Sequence, residues 1–104
     1  MTGRAAGTRT ALVQGVLRDH RPGVRFDGSV KLEAHDEGIY YTWRVESEDG
    51  EFLGSASRSV SYRVIPLDQE PFAFALSHAL EGLRRYRINR VRPFEVEAWQ
   101  WGPA

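Results

Sequence analysis

No cysteine occurs among the 104 residues. That excludes a disulfide framework, a thiol nucleophile and any cysteine-ligated zinc or iron–sulfur site. With no disulfides to need an oxidising compartment, a cytoplasmic location is the default expectation. Lysine is almost missing as well: Lys31 stands alone against thirteen arginines. This bias fits the codon usage of a GC-rich genome, or selection for bidentate contacts to carboxylate or phosphate. No apolar run approaches the roughly 18 residues of a membrane span, so no membrane partner is expected. The opening "MTGRAAGTRT" lacks the apolar stretch of a signal peptide. Residues 1–9 read as a flexible tail, and 10–104 as a single domain. Gly-rich phosphate loops and the G-x-S-x-G elbow are missing too, so no nucleotide, cofactor or serine-hydrolase chemistry is called for.

What the chain does have is pattern. Hydrophobic residues make up 41% and aromatics 12%, enough large side chains for a small domain to bury a core. "TALVQGVLRDHRPG" sets Leu12, Val13, Val16 and Leu17 at helical spacing, with Thr8 or Thr10 as cap and Pro22-Gly23 as stop. It predicts a short amphipathic helix, which Gly15 weakens by about 1 kcal/mol relative to alanine. "VRFDGSVKLEAH" alternates strictly, with Val24, Phe26, Gly28, Val30, Leu32 and Ala34 on one face, and predicts a strand with one wet side. "IYYTWRVE" does the same with Ile39, Tyr41, Trp43 and Val45. Asp49-Gly50 marks a hairpin turn. In "EFLGSASRSVSYRVI" the apolar register is Phe52, Val60, Tyr62 and Val64, and Gly54 points to a bulge or a close approach.

"PLDQEP" then breaks the sheet. Asp68 or Glu70 can cap a second helix that has Pro71 in its first turn. Its buried stripe is Phe72, Leu76, Ala79, Leu80 and Leu83, and Asn89 is its expected stop. "PFEVEAWQW" closes the chain as a fourth strand, setting Phe94, Val96 and Ala98 against Glu95, Glu97 and Trp99. The fold class read from this order is α+β, α-β-β-β-α-β. It is one domain with an antiparallel meander packed against two helices.

Candidate chemistry is thin. Ser55, Ser57, Ser59 and Ser61 alternate as the small polar face of a strand rather than as nucleophiles. His35, Asp36 and Glu37 form a cluster in a polar turn, where solvated charges are expected. His20 follows Asp19 near the end of the first predicted helix, and His78 lies mid-helix beside an apolar stripe. No two histidines share the i, i+4 spacing of a helical metal site. The expectation is therefore a non-enzyme with no metal and no small-molecule substrate.

Charge placement is more informative. "RRYRINRVR" carries Arg84, Arg85, Arg87, Arg90 and Arg92 in a chain of zero net charge. Between Glu33 and Glu51, seven acidic residues face one basic residue, Arg44. The two groups read as opposite poles, suited to head-to-tail assembly. The helix dipole accounts for some of these arginines by itself, and a nucleic-acid contact is the alternative. Trp99 and Trp101 fall in the register of Glu95 and Glu97. Both are candidate partner-binding residues if that face is exposed.

The element order resembles the double-stranded-RNA-binding domain, although "DQEPFAF" stands where that family has a lysine-rich cluster. It also resembles the small tail-completion and tail-terminator-like proteins of tailed phages. On that comparison "TRTALVQGVLRD" is the first helix, "PFAFALSHALEGLRR" the late one and "RPFEVEAWQW" the closing segment. This second resemblance implies a phage or mobile-element structural component that forms homo-oligomers, located in the cytoplasm or the virion. Its function would lie in its interfaces.

Overall fold

The computed structural model describes residues 5–18, 24–86 and 94–103. In it the alternating segments join into one five-stranded antiparallel sheet, in the order β4-β3-β2-β1-β5. The strands are β1 (Thr8–Leu17), β2 (Val24–Ala34), β3 (Gly38–Ser47), β4 (Phe52–Ser61) and β5 (Phe94–Trp101). A single α-helix, α1 (Pro71–Arg85), lies between β4 and β5 in the described chain. The molecule is α+β, but with one α-helix among the described residues rather than two.

The segment expected as the first helix is β1. Its side chains alternate: Ala11, Val13 and Leu17 are buried, while Leu12, Gln14 and Arg18 are exposed. It pairs with β2 through Val13↔Gly28 and with β5 through Val13↔Trp99, so it is a central strand. Gly15 shows why the chain goes this way. A Cβ there would lie against the Glu95 carbonyl oxygen and 2.7 Å from the Phe26 ring, so the residue that weakens a helix is the one this strand needs. Thr8 and Arg9, expected in the tail, belong to β1. Just before them, the Gly7 carbonyl accepts from the Ala34 N–H at 2.9 Å.

β2 and β3 hold the registers expected of them. Phe26, Val30 and Leu32, with Ile39, Tyr41, Trp43 and Val45, line the inner face. α1 packs on that face through Phe72, Leu76, Ala79, Leu80 and Leu83. Of the two candidate caps, Glu70 serves, its Oε2 accepting from the Ala73 N–H at 2.7 Å. The helix stops at Arg85, with Tyr86 as C-cap; Asn89, its expected stop, lies outside the described residues. The opposite face of the sheet has no covering element among the described residues.

Two irregularities redirect side chains. In β4 the pairing skips Leu53, between Val45↔Gly54 and Glu46↔Phe52. This bulge moves Phe52 to the serine face, where the Arg44 guanidinium sits 4.6 Å from its ring centroid. Gly54 is also a close approach, with the Tyr86 ring 3.0 Å from where its Cβ would be. β4 ends at Ser61, and Tyr62–Val64 turn as a 3-10 helix that exposes Val64 and buries Ile65. The expected apolar register thus keeps Val60 and loses Phe52 and Val64. In β5 the pairing skips Glu97, between Gly15↔Val96 and Gln14↔Ala98.

Candidate functional site

The β5 bulge decides where the tryptophans go. Strict alternation would put Trp99 and Trp101 opposite Phe94, Val96 and Ala98. The extra residue instead pairs Trp99 with Val13 and Trp101 with Ala11, both core positions. Directly paired residues share a face. The tryptophans therefore sit on the helix-covered side with Phe94 and Val96, and Ala98 is the residue turned outward beside Gln14.

Arg9 from β1 stacks on Trp101. Its guanidinium lies 3.8 Å from the Trp101 ring centroid and 5.9 Å from that of Phe72, in the first turn of α1. Trp99 meets Trp101 edge-on at 5.4 Å. Trp101 is half-buried against the core, whereas Trp99 stays 44% exposed on the edge strand. Of the two tryptophans, Trp99 is the one left at the surface.

The arginine strip is a separate place. Arg84 and Arg85 lie in the last turn of α1, and both reach the Glu81 carboxylate, at 3.8 and 3.0 Å. Arg87, Arg90 and Arg92 fall outside the described residues, as does His20. Phe72, beside the tryptophan end, is roughly 20 Å from Arg85 along the helix axis at 1.5 Å per residue. Arg84 and Arg85 do not form one surface with the tryptophans.

The two-pole reading is corrected as well. Asp36 and Glu37 turn the chain at one end of the sheet, and Glu48, Asp49 and Glu51 turn it at the other. The second group shares its end with Gly54 and Tyr86, next to Arg85. The acidic residues thus lie at both ends of the sheet and do not form one pole.

The outer face is knitted by ion pairs. Arg18 grips the Glu95 carboxylate with two nitrogens, one at 2.9 Å. This partner holds the Glu95 carboxyl below its ordinary value. Arg25 bonds Glu97, the bulge residue, at 3.0 Å and reaches Glu48 at 4.0 Å. Lys31, helped by His35, lowers the Glu33 carboxyl. The His35 ring also stacks on Tyr40 at 4.2 Å. No group of three metal-ligating side chains converges among the described residues. Ser55, Ser57, Ser59 and Ser61 are exposed, and the Ser57 and Thr42 hydroxyls are 2.8 Å apart.

One cluster has no counterpart in the expectations from sequence. Between α1 and the β3–β4 edge lies a cleft of about 540 Å³, floored by Trp43, Ala56 and Tyr86. Tyr41 and His78 meet at its wall, hydroxyl to Nδ1 at 2.7 Å. Burial raises the Tyr41 hydroxyl above its ordinary value of 10.0, and the nearby Arg58 charge pulls the other way. Arg58 stands opposite Tyr41 in the β3–β4 ladder, on the inner face. The missed signal was an arginine in the inward register of β4, the register of Val60.

No helix among the described residues is long and apolar enough to cross a membrane. Compared with protein-family models, curated proteins and solved structures, the chain matches none.

Proposed function

We propose that the protein is a non-enzymatic protein–protein contact module whose partner is a second copy of itself, with β5 as the contact strand. The observation that carries this reading is Trp99, large, aromatic and 44% exposed, on a strand at the edge of the sheet. Unpaired strand edges template association, and tryptophan is over-represented at binding hot spots. Trp101, itself stacked under Arg9, braces Trp99 edge-on, so less side-chain freedom remains to be lost on contact. A structural component of a phage or mobile element is the form of this reading that the tail-protein resemblance implies. That resemblance rests on the late helix and closing strand, because the first helix it calls for is β1.

The alternative, a nucleic-acid contact through Arg84, Arg85, Arg87, Arg90 and Arg92, gains nothing from the described members, both of which reach Glu81. The test is light scattering coupled to size-exclusion chromatography at low and moderate salt. A discrete oligomer at both salts that becomes monomeric in Trp99→Ala is the expected result. A monomer at both salts that binds duplex in a salt-dependent way would overturn the assembly reading.

A further inference from the structure

Gly82 is an unexpected residue in the interior of α1, where glycine costs about 1 kcal/mol relative to alanine. Packing does not require it. A Cβ placed there meets nothing closer than the Trp43 indole nitrogen, at 4.0 Å. What the missing side chain leaves is open space over the indole, in the cleft between α1 and the β3–β4 edge. Trp43 is otherwise buried, with Tyr86 edge-on to it at 4.9 Å.

The polar groups around that space are mostly donors. Arg58 makes no ion pair among the described residues. The Trp43 indole nitrogen likewise has no hydrogen-bond partner among them. The Tyr41 hydroxyl stays protonated at neutral pH and shares a hydrogen bond with His78 Nδ1. Glu81, the one carboxylate on the wall, is already engaged by Arg84 and Arg85. The volume falls in the range of small-molecule sites, which pair apolar walls with a few convergent polar groups.

The geometry points to a binding site for a small organic acid. A flat apolar body lies on Trp43 beneath Gly82, and its carboxylate is met by Arg58 next to the Tyr41–His78 pair. The ligand is bound, not transformed. The cleft is built from α1, β3 and β4, away from the contact strand, so the inference does not depend on the assembly reading.

The test follows the Trp43 indole N–H in proton–nitrogen correlation spectra, assigned with Trp99→Phe and Trp101→Phe. The full chain is titrated with 2-naphthoate and, separately, with neutral 2-naphthamide. We expect a saturable shift with naphthoate that weakens about tenfold or more for the amide and in Arg58→Gln, the loss of one charge-assisted hydrogen bond. Gly82→Leu, which fills the space and removes the helix penalty, abolishes the shift while melting no lower than the parent. No saturable shift, equal shifts for acid and amide, or full binding by the Gly82→Leu protein would each overturn the assignment.

Discussion

Gly15 carries a constraint that its neighbours do not. Two groups converge on the place a side chain would take, the Phe26 ring from β2 and the Glu95 carbonyl from β5. The Gly15→Ala substitution should therefore destabilise the protein by about 3 kcal/mol, the scale of overpacking in a tight core. Urea denaturation would show this as a lower midpoint with an unchanged slope, and an unshifted midpoint would contradict the packing described. Glu95 gives a second residue-scale prediction. Arg18 holds its carboxyl below the ordinary value of 4.5 in the folded state, so the unfolded chain binds the proton more readily. The pair's contribution is present above that value and is lost as pH falls through the folded one. Both groups are solvent-exposed, so the effect is small and salt-sensitive. Thermal melts at neutral and acid pH should show Glu95→Gln losing less stability on acidification than the parent. A parallel loss would mean that the pair does not titrate with folding.

Among the elements, β2 and β3 were legible because each has one apolar and one wet face, which leaves a single reading of the period. β1 was not. It lies between β2 and β5, and its outer face carries Leu12 and Val16 beside the inner Val13 and Leu17. Adjacent apolar pairs four residues apart mimic a helical stripe, and only tertiary pairing decides between the two periods. α1 was legible in its stripe, its cap and its Pro71. The β5 bulge left no compositional mark, because Glu97 looks like any outward residue of an alternating strand. Its effect is nonetheless large. Deleting Glu97 removes the unpaired residue and leaves Val96↔Gly15, Ala98↔Gln14 and Trp99↔Val13 as an unbroken ladder, so both tryptophans should stay on the helix-covered face. Acrylamide quenching of tryptophan fluorescence like that of the parent is the expected outcome. A marked rise in quenching would place the register shift elsewhere. The cleft was illegible for another reason: Tyr41, Arg58 and His78 share no local motif and meet only through the β3–β4 ladder and the helix above it.

At the scale of the whole molecule, the sheet has two edges and, among the described residues, one covered face. Assembly geometry then follows from which edges meet. β5 against β5 is an isologous contact and closes at two subunits. β5 of one copy against β4 of the next is heterologous and makes a ring or a filament. The bulge at Leu53 and the inward Arg58 make β4 the less regular edge. The particle mass from the light-scattering experiment therefore distinguishes the two arrangements as well as testing whether any assembly occurs. Zero net charge and interleaved ion pairs on the outer face give no strong field of either sign. Association of this molecule should depend on shape and apolar contact more than on long-range steering.

The place of β1 in the sheet has a consequence for how the chain is made. β1 is synthesised first, yet one of its two neighbours is the last strand: Val13 must wait for Trp99. Until then the nascent chain can build only a four-stranded meander, with the β1 edge bare where β5 will dock. Such non-local closure is slow relative to the local hairpins, and a bare central strand is a template for pairing with another chain. Newly made molecules on neighbouring ribosomes are thus most prone to cross-pairing just before the final strand emerges.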